Sequence, residues 1–292
     1  MRTRHLVVPL VAVVVVFAVA LAPGCRRAQV VEPPEPPPAA EESEPAPTPP
    51  AEEAREVRLY LVRDEKIGVE GTTIPQASET TSLVAESLDA LAKQPLSSQR
   101  YGLGTAVPVG TEVRGVEMNG RTAIVNLSKE FETGGGSLSM QLRVAQVVYT
   151  ATQFEDVDRV AFEIEGERVE SIGGEGVSVD PPLTRDDCEA VTPAILVEAP
   201  VPGAAISSPV TISGTANVFE ARFMAKVSDG LGDTLTEQPI TATSGTGTRG
   251  TFTDDLTFDV VGPGAGSISV YALSPKDGSK TDEIKIPAQL VE

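Results

Sequence analysis

The chain has little of the chemistry on which most enzymes depend. It contains one histidine and no tryptophan in 292 residues, and aromatic residues make up only 4%. The single histidine, His5, lies in an N-terminal segment that is expected to be removed, so the mature chain would have no imidazole. This excludes Ser-His-Asp and Cys-His catalysis and the usual ligation of zinc. The shortage of aromatic rings also argues against a platform that stacks sugars.

Cysteine is nearly as scarce as histidine. The two cysteines are Cys25 and Cys188. If Cys25 carries a lipid, Cys188 has no internal disulfide partner, and a multi-cysteine metal site is excluded. We interpret Cys188, in the sequence TRDDCEAVTP, as an incidental exposed residue, and an intermolecular disulfide is the alternative.

Positive charge is in short supply as well, because 23 basic residues face 42 acidic ones and the formal net charge is −19. Removal of the N-terminal segment would take Arg2 and Arg4 with it and make the charge more negative by two units. Such a surface repels phosphate backbones and anionic head groups, so nucleic acid is not expected as a partner. Solubility outside the cell is a sufficient reason for the acidic surface.

The N-terminus predicts export and attachment to a membrane. Residues 1–24 contain two arginines, an apolar run and small residues before a break, which is the pattern of a signal peptide. The sequence LAPGC resembles a lipobox, which implies a diacylated Cys25 and a stable anchor. An uncleaved transmembrane helix is the alternative, because the apolar run is near the shortest length that spans a bilayer. The expected location is the outer face of the cytoplasmic membrane, in a bacterial cell envelope.

A stalk is predicted next, over residues 25–56. This segment is rich in proline, glutamate and alanine and poor in large apolar side chains, so it is expected to be disordered. Proline favours extended polyproline II, and at about 3.1 Å per residue the stalk would reach at most roughly 90 Å. We interpret it as a passive spacer between the membrane and the folded part.

Residues 57–182 predict an α+β domain. The expected order is strand, helix, hairpin, helix, hairpin, with an Asn119-Gly120 turn in the first hairpin and Ser137 as the N-cap of the second helix. Two helices over one face of a small mixed sheet is the most economical packing. The residues expected in the core are Val57, Leu59, Leu61, Leu83, Val84, Leu88, Leu91, Ala123, Val125, Leu127, Leu138, Leu142, Ala145, Tyr149, Val160, Phe162 and Ile164.

A family resemblance is carried by this domain. The sequences GLGTAVPVGTEVRGVEMNGRTAIVNLSKEF and QVVYTATQFEDVDRVAFEIEG resemble the GerMN domain of sporulation and germination lipoproteins. The matching pieces are Thr105-Ala106-Val107-Pro108, Gly110-Thr111, Asn126-Leu127-Ser128 and Tyr149-Thr150. The resemblance implies an α/β domain akin to the ring-building modules of secretion-like envelope assemblies, and it implies no catalytic residue.

After a Pro- and acid-rich linker at residues 183–193, the pattern becomes all-β. Residues 194–292 contain seven short strand-like runs separated by turns, which predicts an immunoglobulin-like β-sandwich. The turn GTGTRG at residues 245–250 matches the dinucleotide motif G-x-G-x-x-G. A strand follows it instead of the helix that binds pyrophosphate, so we interpret it as a hairpin loop.

This second region resembles the Gmad immunoglobulin-like module of spore-germination-type proteins. The resemblance rests on APVPGAAISSPVTISGTANVFEARFMAKVSDGLGD, GTRGTFTDDLTFDV and VYALSPKDGSKTDEIKI. A Gmad module that follows a GerMN domain behind a lipobox is itself a recognised arrangement, so each resemblance strengthens the other.

Acidic residues do not predict a hydrolase or a metal site. The pair Asp186/Asp187 lies in the linker, and neighbours such as Asp254/Asp255 on a strand point to opposite faces. The acids of FEDVDRV, residues 154–160, are too few for a calcium loop and predict a solvated turn. In VFEARFMAKV, alternation places Phe219 in the core and Glu220 outside, where an ion pair with Arg222 or a lysine can form.

The expected function is that of a non-enzymatic, lipid-anchored envelope protein without a cofactor or a metal. Its two domains would mediate contacts with an envelope protein partner, or self-assembly. The alternative is a module that binds cell-wall glycan, such as peptidoglycan, or a secreted ligand. A role in sporulation or germination is suggested by the family resemblance alone, and fold-level analogy is a weak basis for function.

Overall fold

The computed structural model describes residues 54–93, 101–173, 176–259 and 262–292. The predicted signal peptide, Cys25 and nearly all of the predicted stalk lie outside these residues. The described residues belong to one compact unit, so the two predicted domains are packed together. No helix in the described ranges is long and apolar enough to cross a bilayer.

The first region begins with a hairpin of ten-residue strands, β1 (Ala54–Arg63) and β2 (Lys66–Pro75). The turn consists of Asp64 and Glu65, and both have positive φ angles of 50° and 60°. This is the type I′ geometry that suits the twist of a two-residue hairpin. Strand β2 was not predicted, because the turn lacks the Asn-Gly or Asp-Gly signal that usually marks such a hairpin.

The remaining elements of this region confirm the predicted α+β class. They are α1 (Thr80–Ala92), β3 (Val113–Asn119), β4 (Thr122–Leu127), α2 (Ser137–Ala151), β5 (Arg159–Ile164), β6 (Glu167–Arg168), β7 (Ser171–Ile172) and β8 (Val177–Ser178). The main sheet is mixed, with the order β3-β4-β5-β6 and with β4 parallel to β5. Strands β7 and β8 pair separately as a short hairpin.

Helix α2 is buried on nearly all sides, because it packs against β1 on one side and against β5 and β8 on another. Two details of its prediction are wrong. The helix begins at Ser137 with Gly136 in the cap position, and Leu138 is 40% exposed. Leu138 lies in the first turn, which projects beyond the core. The other predicted core residues of this region are buried.

Polar side chains of α2 and of the turn that follows it bond the backbone of β1 along its outer edge. Gln153 accepts a hydrogen bond from the backbone N–H of Arg58 at 2.9 Å and donates to its carbonyl at 2.8 Å. Thr150 accepts from the N–H of Tyr60 at 3.4 Å, and Gln146 donates to the Tyr60 carbonyl at 2.9 Å. The spacing of four residues keeps Gln146 and Thr150 on one helix face, and Gln153 follows just beyond the end of the helix. We call this set the α2 ladder, and it closes an edge that would otherwise be open.

The second region is the predicted immunoglobulin-like sandwich. Its strands are β9 (Ile195–Ala199), β10 (Ala205–Ile206), β11 (Val210–Ala216), β12 (Arg222–Asp229), β13 (Thr234–Thr241), β14 (Gly250–Leu256), β15 (Gly264–Leu273) and β16 (Lys280–Leu290). One sheet has the order β10-β16-β15-β12-β13 and the other β14-β11-β9. Between them, Phe223 and Phe252 meet edge to face with ring centroids 4.9 Å apart. All seven predicted strands are present.

Strand β12 starts later than predicted, which corrects the placement of Phe219. Residues Phe219–Ala221 form a 3-10 turn in which Glu220 has φ 54° and Ala221 has φ 57°. The turn breaks the alternation, so Phe219 is 54% exposed and only the later residues from Phe223 onwards enter the core. Glu220 is exposed as expected, but it makes no ion pair among the described residues.

The GTGTRG sequence forms a loop between β13 and β14, as predicted, and its last glycine, Gly250, begins β14. It docks on the turn before β12, where the Thr246 N–H donates to the Val218 carbonyl at 2.9 Å. A Cβ on Gly245 would lie 2.5 Å from that same carbonyl oxygen, so only glycine permits this approach. The motif therefore serves packing within the sandwich.

Candidate functional site

The segment predicted as a linker, residues 183–193, is an ordered joint between the two regions. Leu183 forms a backbone bridge with Val160 at the edge of the first region. Asp186–Val191 then form a 3-10 helix that packs against α2. We call residues 183–193 the junction segment. Its polar side chains bind both regions, as the contacts of Arg185 and Glu189 demonstrate.

Arg185 occupies the centre of the junction. Its guanidinium lies over the rings of Tyr60 and Tyr149, with its carbon 5.1 and 4.7 Å from the two centroids. It pairs with Glu198 of β9 at 2.9 Å and donates to the Thr152 hydroxyl at 2.8 Å. The Tyr60 hydroxyl donates to the same Glu198 carboxylate. One side chain from the junction segment therefore contacts both regions through cation–π and charged hydrogen bonds.

Arg249 makes a second contact of this kind. From the loop before β14, it binds the Glu189 carboxylate with two hydrogen bonds of 2.7 and 3.0 Å. It also donates to the Pro193 carbonyl at 2.8 Å and to the Thr215 hydroxyl at 3.2 Å. The Asn217 amide donates to Glu189 at 2.8 Å. The bidentate geometry fixes the sandwich against the junction segment in both distance and orientation.

Burial and charge pairing together set the protonation states at the junction. Burial raises the pKa of Tyr60 well above its ordinary value, so its hydroxyl stays protonated and donates to Glu198. Burial opposes the charge of Arg185, but Tyr60 and Glu198 outweigh it and the pKa of Arg185 is raised. Burial likewise disfavours the Glu189 carboxylate, yet hydrogen bonds from Arg249 and Asn217 leave its pKa below the ordinary value. Arg185 and Glu189 therefore keep their charges at neutral pH.

Cys188 is buried, which corrects the prediction that it is exposed. It is 5% exposed, and burial raises the pKa of its thiol to about 12. Its carbonyl accepts a hydrogen bond from the Thr192 hydroxyl, which also bonds the Tyr149 hydroxyl at 2.9 Å. A buried thiol of raised pKa is inert. Cys188 therefore belongs to the packing of the junction.

A groove of about 890 Å³ opens beside the junction, between the β1–β2 hairpin and the end of β9 with the loop that follows. We call it the β2 groove. It is lined by Arg55 and Arg58 from β1, by Gly71 and Thr73 from β2, and by Phe154 and Val201. Val201 packs over Gly71, where an added Cβ would lie 2.7 Å from its methyl carbon. The groove thus combines a strand edge, two arginines and an apolar wall.

Two family models match the chain. Residues 58–170 match Germane, described as sporulation and spore germination, and residues 194–279 match Gmad2, described as an immunoglobulin-like domain of bacterial spore germination. The chain carries a GerMN domain followed by a Gmad2 domain. Both resemblances read from the sequence are therefore confirmed, and the junction segment lies between the two matched ranges.

Solved structures give matches as well. The first GerMN domain of the sporulation protein GerM from Bacillus subtilis has 27% identity and a TM-score of 0.38, over 45% of this chain and 98% of that one. The tandem GerMN domains of the same protein have 18% identity and a TM-score of 0.41, over 70% of this chain and 62% of that one. No curated protein matches the chain. The assignment of the GerMN and Gmad2 domains therefore rests on the two family models.

The acids that the sequence singled out as pairs do not converge on one site. Asp187 accepts two hydrogen bonds from Thr184, which lower its pKa and order the start of the junction helix. Asp255 accepts from the Thr211 hydroxyl at 2.6 Å, whereas Asp254 accepts from its neighbour's N–H. In the described ranges, no group of three or more His, Cys, Asp or Glu side chains could hold a metal ion.

The acids of the GerMN turn at residues 154–160, Glu155, Asp156 and Asp158, are exposed, as predicted, whereas Phe154 and Val157 are buried. Its Asp158 pairs with Arg121, whose guanidinium also donates to the Glu155 carbonyl. Asp156 accepts a hydrogen bond from the Thr80 hydroxyl at 2.9 Å. These contacts tie the turn to neighbouring elements and leave no convergent carboxylates.

Sequence reasoning missed the residues that matter most at the junction, namely Arg185, Glu189, Glu198 and Arg249. They belong to no motif and lie up to 64 positions apart. One feature of the sequence could have indicated the ordered segment. The predicted linker contains three apolar residues, Cys188, Ala190 and Val191, which is unusual for an exposed segment. These apolar residues are interspersed with charged ones, a pattern that is typical of a short helix with one buried side.

Proposed function

We propose that this chain is a lipid-anchored protein of the bacterial cell envelope whose GerMN and Gmad2 domains act as one rigid module for protein–protein contacts. The observation that carries the proposal is the junction, where Arg185 and Arg249 hold both domains on one segment. A module that presents two surfaces in fixed orientation loses less conformational freedom on binding. The family descriptions favour a role in sporulation or spore germination.

A non-enzymatic role is part of the proposal. The charged side chains of the junction, Arg185, Glu189, Glu198 and Arg249, are each engaged by other protein groups. Charged side chains that are paired within the protein stabilise its packing, whereas a catalytic acid or base must be accessible to its substrate. The conclusion is that the buried polar groups hold the module together.

The membrane anchor is proposed to be a lipid on Cys25. The support is the lipobox-like sequence LAPGC after a basic and apolar leader. With radiolabelled palmitate, the full chain produced in a bacterial host should be labelled and should sediment with membranes. The Cys25→Ser variant should be unlabelled. An unaltered chain that is unlabelled and remains in the membrane with its leader uncleaved would instead indicate a transmembrane helix.

The role in protein contacts is tested by crosslinking in intact cells, followed by mass-spectrometric identification of the neighbours. Reproducible crosslinks to a defined envelope protein, or to a second copy of the chain, would support the proposal. Retention of the protein on purified sacculi without any crosslinked protein would favour glycan binding instead. The absence of both a partner and an oligomer would contradict the proposed role.

A further inference from the structure

The outer edge of β2 has unpaired backbone groups that face the β2 groove. Among the described residues, the hairpin sheet consists of β1 and β2. Because the N–H and the carbonyl of Arg58 bond Gln153 and not β2, its antiparallel partner Gly71 must also direct its backbone away from β1. The same alternation applies to Thr73, two residues further along. In the described part of the chain, no strand pairs with this edge of β2.

The charge of the β2 groove is opposite to that of the whole molecule. The Arg58 guanidinium has no side-chain hydrogen bond or ion pair among the described residues, and its Nε is buried. Arg55 lies over the Phe154 ring, with 5.6 Å between the guanidinium carbon and the centroid. Glu198 also lines the groove, but its carboxylate is neutralised by Arg185. Two arginines therefore face only one uncompensated acid, Glu56, in a chain of net charge −19.

We propose that the β2 groove binds an extended acidic peptide of a partner protein, which adds a third strand to the free edge of β2. Main-chain hydrogen bonds to Gly71 and Thr73 would hold the peptide, as in other cases of strand addition. A carboxylate of the peptide binds Arg58, on the face of the hairpin where Val201 lies over Gly71, and the apolar side chains of the peptide lie on the opposite face. This inference rests on the proposed role in protein contacts and names the partner's chemistry.

The binding test uses the full chain and a fluorescein-labelled peptide of alternating glutamate and valine, followed by fluorescence anisotropy. Binding should weaken as salt is added, because charges are involved. Arg58→Gln should weaken it by about tenfold, the loss expected for one charge-assisted hydrogen bond. Thr73→Pro, which removes an outward N–H without affecting the pairing with β1, should weaken it similarly.

The matched control is Arg159→Gln, which removes an exposed arginine elsewhere in the GerMN domain and should leave binding unchanged. The thermal midpoint of each variant separates loss of binding from loss of folding. No binding of the acidic peptide, equal binding of a lysine–valine peptide, or equal affinity of the Arg58→Gln variant would overturn the proposal.

A photocrosslinking amino acid at Thr72 in cells separates this inference from the proposed function. The control position is Leu231, which is 90% exposed in a loop of the Gmad2 domain. Crosslinks from Thr72 to an acidic segment of a partner support the inference. A partner captured at Leu231 but not at Thr72 would overturn the proposed binding in the β2 groove. It would leave the proposed role in protein contacts intact. No partner at either position would count against both.

Discussion

At the scale of single residues, Arg185 shows how a polar side chain can unite two domains. Its guanidinium is held by two aromatic rings and one carboxylate, and the exposed fractions of the Arg185 and Glu198 side chains are only 24% and 14%. Each ring belongs to the GerMN domain, whereas Glu198 belongs to the Gmad2 domain. Because the pair is largely buried, the loss of one partner leaves the other charge without compensation.

We therefore expect Arg185→Ala to lower the free energy of unfolding by about 3 kcal/mol, the low end for a broken buried pair. Denaturant unfolding of the full chain measures this change. The matched control is Arg168→Ala, because its pair with Asp180 is about half exposed (46% and 47%) and should cost less than about 1 kcal/mol. If the two substitutions lowered the free energy of unfolding equally, Arg185 would not be essential to the stability of the junction.

Tyr60 gives the junction a dependence on alkaline pH. Its pKa is raised in the folded protein by burial, whereas an unfolded tyrosine titrates near about pH 10. Below that pH both states keep the proton. Above it the unfolded state loses its proton first, so stability falls as the pH rises. We expect Tyr60→Phe to reduce the slope of stability against pH above about pH 10, and an unchanged slope would contradict this origin.

At the scale of elements, hydrophobic periodicity predicted the helices and strands that have a clear apolar face. It did not predict features that lack such a pattern. Helix α1 and strands β4 and β5 have one clear apolar face, so their core residues were correct. Strand β2 was missed because its turn, Asp64-Glu65, carries no glycine or asparagine. The α2 ladder was not predicted either, since Gln146 and Gln153 resemble ordinary polar residues of a protein surface. Only the neighbouring strand edge gives these amides their role.

The α2 ladder predicts that Gln146→Leu destabilises the GerMN domain, although leucine suits a buried helix. The substitution leaves the Tyr60 carbonyl and the Ala106 N–H without their hydrogen bonds, which should cost about 2 kcal/mol. Gln141 on the same helix is exposed, and Gln141→Leu should change stability by less than about 0.5 kcal/mol. A comparison of the two unfolding curves tests the ladder, and similar curves would refute it.

At the scale of the whole molecule, the two domains were predictable but their arrangement was not. Short strands separated by turns indicated the sandwich, and the family resemblances agreed with the matched models. The junction joins Tyr60, Arg185 and Arg249, which are far apart in sequence and follow no periodic pattern. A Pro- and acid-rich segment was predicted to be a linker, whereas charge pairing and cation–π contacts hold it against both domains.

Pulsed electron–electron double resonance tests most directly whether the GerMN and Gmad2 domains form one rigid module. Spin labels at Glu117→Cys and Leu231→Cys would report the distance between the domains, with Cys25 replaced by serine and the buried Cys188 left in place. We predict one narrow distance distribution, which broadens when Arg185 and Arg249 are both changed to alanine. A broad distribution in the otherwise unaltered protein would contradict the account.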